Sequence, residues 1–438
     1  MSDPSDPSHA ATPLPRLVSV ILISNTGALI ALFTPIQLLL TLKLTSIAGA
    51  GAPSAFGVIT GLGALFAMVA NPLAGRISDR TAARFGRRRT WMLAGAVTGS
   101  LVVFAHAFAT EVWQVAVVWC ATQVVFNFQM TATGALFADQ VPADRRGTVS
   151  GLFGLVVAIG PLGGLAAVSA VSQPTAQWGI VAGAALILGI LAVILLRDPH
   201  HPRTPGQAGL NPMELLKSYW LNPRRHPAFG WAWLVRFLLT CGYASGTYTA
   251  FYAMERFGVA PADVGGFVLT MSAISVALLA ITSMIAGRIS DRIGRQKPFV
   301  VAAGVLAAGA LVLTATAPSL GALYITSGLL GLGTGLFVAI DGALCIRMLP
   351  NLDDAGKDLA IINLANTLPQ SVVPFVAPLL LVIGGFPALY LTLAVVALAG
   401  AVAVLRLPEI GREGDPRWAL ITRTPAATTT SIHLEEIS

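Results

Sequence analysis

Charge is what this sequence most lacks. Only 11% of its 438 residues are Asp, Glu, Lys or Arg, against about a quarter in water-soluble domains. A soluble core of this length could not hide so much apolar surface, so a water-soluble enzyme or binding module is excluded. Cysteine is nearly absent. Cys120, Cys241 and Cys345 lie far apart inside apolar runs, which argues against a disulfide framework and a thiolate metal centre and leaves them as small apolar filler. A basic leader is missing as well. The first residues, MSDPSDPSHAATPLP, are polar, turn-rich and acidic, unlike a secretory signal, so residues 1–16 are expected to form a cytosolic tail.

What is present is apolar length. Hydrophobic residues make up 55% of the chain and mean hydropathy is +0.76. A membrane-spanning helix needs about 20 mostly apolar residues. Such stretches fall at 17–42, 54–75, 90–109, 112–138, 148–171, 178–196, 229–253, 263–286, 298–316, 320–346, 359–384 and 386–406, predicting twelve spans. Pro35, Pro72, Pro161 and Pro374 lie inside them, tolerable where packed neighbours satisfy the released carbonyls. The many glycines suit close helix approach in lipid.

Basic residues are placed unevenly. Of 27 Lys and Arg, 24 fall in the first tail, in alternate loops and at the C-terminus, and only Lys43 and Arg256 lie on the opposite side. The positive-inside rule puts both termini in the cytoplasm, and nucleic acid is not needed to explain a pI near 9.7. The longest internal polar segment, 197–228, is rich in proline and histidine and separates six spans from six. His200, His201 and His226 there read as part of a solvated linker and not as a metal site. The expected organisation is a tail (1–16), a six-helix bundle (17–196), a cytosolic loop (197–228), a second six-helix bundle (229–406) and a cytosolic tail (407–438).

The chain also repeats itself. GRISDRTAARFGRRRTW starts at Gly75 and GRISDRIGRQKPF at Gly287, each between the second and third span of its half. A parallel internal repeat of this kind marks a two-bundle transporter. Gly75, Asp79, Arg80, Gly86, Arg87 and Arg88 resemble the loop signature of the major facilitator superfamily. The longer string resembles the glycoside–pentoside–hexuronide and sucrose-type sugar carriers, and DQVPADRRG (139–147) is similar to another loop element of the superfamily. The resemblance implies an all-α fold of two pseudo-symmetric bundles, with spans 1, 4, 7 and 10 lining a central cavity.

Candidate residues follow. Asp79 stands among bases. Carboxylates favour helix N-termini, so Asp79 is expected to meet the start of span 11 near Lys357, and Asp291 the start of span 5 near Arg146. With Arg80, Arg87 and Arg292 these would form two latches that close the cytoplasmic side; Asp79 could instead only pair with a local Arg and trim charge. Asn25 and Gln37 on span 1, Gln123 and Asn127 on span 4, and Tyr243, Tyr248 and Tyr252 on span 7 are suited to a hydroxyl-rich solute, the tyrosines equally to an aromatic one; each amide could instead tie helices together. Asp341 is the acid set deep in an apolar run, with Glu255 and Asp139 at span ends. Arg236 sits about 12 Å into span 7 and Asp341 about 10 Å from the end of span 10, by helical rise. A charge at such depth seeks a partner, so the two are expected to pair.

Span 2 has no acid, which disfavours a sodium site there of the melibiose-carrier kind and leaves the proton as coupling ion. The expected function is proton-coupled uptake of a sugar-like solute by a monomer in a bacterial plasma membrane, with protons, solute and lipids as partners and no cofactor, metal or nucleic acid. The alternative is a proton-coupled exporter of drugs or natural products. GLVVAIGPLGG (154–164) resembles the Gly-Pro motif of drug antiporters, with one residue fewer between GP and GG. A membrane enzyme is not expected, since GLGTG (331–335) lies inside span 10 and follows no strand.

Overall fold

The computed structural model describes residues 12–198, 227–347 and 355–407, apart from 82, 84, 143 and 294. Every regular element among them is helical. Helix α1 runs Leu14–Thr34, passes through a π-helical turn at Pro35–Leu39, and continues to Ala48; Pro35 has no N–H to give the ladder, and the Leu40 amide bonds back to its carbonyl. Then follow α2 (Ala52–Arg80), α3 (Arg87–Ala105), α4 (Val112–Gln140), α5 (Arg146–Ser169) and α6 (Pro174–Leu195). The second half has α7 (Pro227–Tyr243, a 3-10 segment Ala244–Tyr248, then Thr249–Phe257), α8 (Val264–Ile293), α9 (Lys297–Ala315) and α10 (Leu320–Arg347). A helical stretch Ala355–Ala403 is broken at Gly384 and Gly385, where Gly385 takes φ +65; its parts are α11 (355–383) and α12 (386–403).

Nine described segments are long and apolar enough to cross a membrane. Two of them are interrupted, at Gly49–Gly51 and at Gly384–Gly385, and α7 is interrupted by its 3-10 segment. The alternation expected from the sequence would bring the Arg-rich loops to one face, here the basic face, and residues 49–51, 106–112 and 258–263 to the opposite face. Apolar side chains such as Ile187, Val382 and Val395 point outward, as a lipid-facing belt requires.

The two halves pack alike. α1 lies on α6, α2 on α4, α3 on α4 and α6; correspondingly α7 lies on the α11–α12 stretch, α8 on α10, and α9 on α10 and α12. Small residues permit this closeness. A side chain on Gly304 of α9 would lie 2.6 Å from the Ala401 Cβ of α12, and one on Gly189 of α6 would overlap Ala96 of α3. Between halves, α2 meets the α11–α12 stretch and α5 meets α8.

The described contacts between halves gather toward the opposite face. Phe56 of α2 packs edge-on against Tyr248 and Phe251 of α7, with centroids 5.4 and 5.3 Å apart. A Cβ on Gly57 would lie 2.6 Å from Pro378 and 2.7 Å from the Tyr248 hydroxyl. Gly265 at the start of α8 faces Ser169 and Leu38. The Ser272 hydroxyl donates to Gln37 Oε1 at 3.3 Å.

Candidate functional site

A largely buried charged pair lies inside the second bundle. Arg236 Nη2 lies 3.0 Å from Asp341 Oδ2, and the two side chains are only 13% and 11% exposed. Arg236 Nε also donates to Asn366 Oδ1 at 2.9 Å. Three helices, α7, α10 and α11, thus meet on one guanidinium. Nearby, the Trp233 indole N–H donates to the Ile361 carbonyl at 2.9 Å, and its ring stacks on Phe237 at 5.4 Å. A buried ion pair is costly to desolvate and stable only with further hydrogen bonds, and Asn366 supplies one. The pairing expected from matched depth is present. Asn366 lies at a depth from the start of α11 close to that of Arg236 in α7.

Two turns along α7, Tyr243 lies 6.1 Å from Phe337, one turn before Asp341 on α10, and its hydroxyl is buried without a hydrogen-bond partner. Polar groups buried in this way are uncommon. Tyr243 therefore keeps its standing as a candidate contact.

The other two tyrosines do not line a cavity. Tyr252 is buried among Phe257, Phe386 and Tyr390, and donates to the Thr314 carbonyl at 2.9 Å. It belongs to the core of the second bundle. The cause is the 3-10 segment at 244–248, which rotates the rest of α7 relative to a continuous helix. Tyr248 is fully buried against Phe56 and donates to the Pro374 carbonyl at 3.3 Å; it is part of the bundle contact at the opposite face.

In the first bundle, Asn25 is buried and returns its amide to the Ile21 carbonyl at 2.7 Å. Asn127 does the same to Gln123 at 2.7 Å but remains partly exposed, as does the Gln123 side chain. Gln37 is partly exposed and holds Ser272 across the bundles. Asn25 is thus a helix-satisfied core residue, whereas Gln37, Gln123 and Asn127 are partly exposed. The sequence reading missed Asn71, which is exposed and accepts from Thr131 at 2.9 Å across α2 and α4. Gln129, a further polar residue of span 4, is buried and donates to the Ser24 hydroxyl at 3.3 Å.

The basic face carries a network. Arg88 is almost buried; it meets Asp79 at 2.6 Å and Asp139 at 3.1 Å, and donates to Ser78 at 2.9 Å, while Arg87 meets Asp139 at 3.0 Å. Asp198 accepts from the amides of Arg88 and Arg89 at 2.8 and 3.0 Å. Asp79 is thus held by its own bundle here, and 54% exposed. Arg146 donates to the carbonyls of Val141 and Ala138. Arg80 and Arg292 lie at the ends of α2 and α8. Asp291 and Lys357 lie on helices, and the contacts expected of their side chains fall outside the described residues.

The Gly-Pro stretch of α5 is occupied by packing. Gly160 faces Thr26 of α1, and a side chain on Gly164 would crowd Ile30 and Thr34. Among the described residues there is no cluster of three metal-ligating groups.

The Major Facilitator Superfamily model matches residues 17–279 and 263–433. The chain belongs to that superfamily: it is a multi-pass membrane protein, a secondary transporter and not an enzyme. Over 107 residues it is 30% identical to an uncharacterized symporter from Synechocystis sp., a match covering 23% of this chain and only 20% of that relative. Solved structures share the fold at low identity. A POT family transporter in complex with a thioalcohol-conjugated peptide superposes with TM-score 0.68 at 13% identity, covering 89% of this chain and 95% of that one. A nucleoside transporter gives 0.66 at 15%, covering 88% and 99%, and a D-xylose–proton symporter 0.63 at 15%, covering 90% and 97%.

Proposed function

We propose that this transporter carries a hydroxyl-rich, sugar-like solute inward together with a proton. The observation that carries this is the Arg236–Asp341–Asn366 cluster. It joins three helices of one bundle and contains a carboxylate that a proton would neutralise, and a charge change at such depth alters which helix arrangement is favoured. Gln37, Gln123, Asn127 and Tyr243 supply the hydroxyl-binding chemistry. The partial match to a symporter and the shared fold of a xylose–proton symporter point the same way.

With contacts between halves gathered at the opposite face, we read this state as open at the basic face. By the distribution of Lys and Arg, that face is cytoplasmic, as are both tails and the 197–228 segment. The protein works as a monomer in a bacterial plasma membrane, and Asp79–Lys357 and Asp291–Arg146 close the basic face in the other state.

Proteoliposomes made alkaline inside test this. Labelled xylose should accumulate against its gradient and leak back when a protonophore is added. Extrusion of a cationic dye with no sugar accumulation would reverse the assignment in favour of export.

A further inference from the structure

We infer that Arg236 is the binding site for a carboxylate on the solute, so that the transported species is a hydroxylated organic acid entering as anion plus proton. This rests on the transport reading above and narrows it.

The inference starts from charge balance. In the structure the guanidinium and the Asp341 carboxylate neutralise one another at 3.0 Å, in a setting nine-tenths shielded from solvent. A neutral solute has no reason to disturb that pair. An anion would add an uncompensated negative charge at low dielectric unless Asp341 first took up a proton. With Asp341 protonated, the guanidinium needs a new counter-ion and the solute carboxylate provides it. Total charge in the site is zero before and after. The proton goes from bulk water to the Asp341 carboxylate, no covalent bond to the solute is made, and both leave together when the site opens on the other side.

The residue types fit a carboxylate. Arginine is the side chain whose planar fork matches two carboxylate oxygens, where lysine offers only a point charge. Asn366 grips Nε at 2.9 Å, which fixes the plane of the fork. Two turns further along α7, the Tyr243 hydroxyl is buried with no hydrogen-bond partner and has the chemistry to meet a solute hydroxyl. In the first bundle, Gln123 and Asn127 of α4 remain partly exposed. Among the described residues Arg236 is paired with Asp341, and Tyr243 is a further titratable group on α7; Arg347 of α10 and Lys357 and Asp358 of α11 lie nearer the helix ends. The apolar stretches of α8 (264–286), α9 (298–315) and α11 (364–383) contain no acid, base or histidine, nor do those of α1 (17–42) and α4 (112–138). One proton per anion is therefore expected.

The probes are gluconate and sorbitol, which differ at one carbon by a carboxylate against an alcohol. Each is titrated into the purified full chain and read by thermal stabilisation, since a ligand of the folded state raises the midpoint. Gluconate should stabilise and sorbitol should not. The gluconate Kd should weaken about tenfold per pH unit above the Asp341 pKa, the slope for one linked proton. Asp341→Asn should flatten that slope, binding gluconate in alkali as the unsubstituted protein does only in acid. Arg236→Gln should lose gluconate; because it leaves Asp341 buried alone, Arg236→Gln with Asp341→Asn is the folded control and should lose it too. Equal stabilisation by both probes with no pH slope overturns the carboxylate site and leaves sugar uptake standing. Stabilisation by neither overturns the hydroxy-acid class, and xylose accumulation under a proton gradient then decides the transport reading separately.

Discussion

Asp198 Oδ2 lies 2.8 Å from the backbone nitrogen of Arg88, a residue 110 positions earlier. The end of α6 therefore caps the start of α3, where Gly86 in the N-cap position takes φ +95 and offers no side chain of its own. Four amides at a helix start need acceptors, and one carboxylate oxygen here serves two of them. The Thr12 hydroxyl adds a second tie, donating to the Arg197 carbonyl at 2.8 Å and accepting from its amide at 3.0 Å.

Removing this cap should loosen the first bundle. Asp198→Ala is expected to cost about 1–2 kcal/mol, the range for a lost cap carrying a favourable charge. Gly86→Ala should cost more, because its methyl would overlap the Asp198 carboxylate and the backbone angle is strained for any L side chain. Thermal unfolding in detergent orders the two; a Gly86→Ala protein as stable as the unsubstituted one would refute the cap geometry.

A second prediction concerns closure at the opposite face. Gly57→Val places methyl groups against Pro378 and Tyr248, which come together only when that face is shut. The overpacking cost, about 1–3 kcal/mol, falls on this state alone and should move the population toward the one open at the opposite face. A cysteine at Phe251 should then react with a membrane-impermeant thiol reagent severalfold faster. No change in its reactivity would mean the Phe56–Tyr248 contact is not a gate.

Much of this was legible in the sequence, for physical reasons that can be named. Spans read well because lipid demands length and hydropathy. The Arg236–Asp341 pair read well because depth follows from 1.5 Å per residue and charge in lipid compels pairing. Direction around the helix did not read, because runs such as α6 and α9 are apolar on every side and leave no stripe to show which face is inward. Tyr252 was misplaced by the 3-10 segment at 244–248, and Asn25 because an amide can satisfy itself on the carbonyl four residues back. The Asp198 cap joins residues too distant in sequence for any local signal.

The latch gives a third prediction. In this state Asp79 is paired with Arg88, so closing the basic face requires exchanging that partner for the start of α11. Asp79→Asn should weaken the closed state by about 1–2 kcal/mol, a shift of roughly 5- to 30-fold in its population. Asp291→Asn should act likewise. Cross-linking between cysteines at the basic ends of α2 and α11 reports closure; unchanged yields in both variants would leave Asp79 as a partner of Arg88 and nothing more.

The last prediction concerns Asp341 in transport. In the proposed cycle its carboxylate is the group of the cluster that takes up and releases the proton while the guanidinium stays charged, since arginine holds its proton at any physiological pH. Protonation removes the counter-charge from Arg236 and leaves Asn366 as its neighbour across α7 and α11, so the three helices held together by one ion pair become separable. A carrier that can close only when this site is neutral must bind proton and solute together, and that rule converts a pH gradient into accumulation. Asp341→Asn fixes the site in the protonated form. Accumulation driven by a pH gradient should fall at least tenfold, while exchange of labelled for unlabelled solute, which needs no net proton movement, should persist and lose its dependence on pH. Arg236→Lys keeps the charge but not the planar contact with Asp341 and Asn366, and should reduce both activities. Full gradient-driven accumulation by Asp341→Asn would remove Asp341 from the coupling path, and the coupling proton would then have to be carried elsewhere.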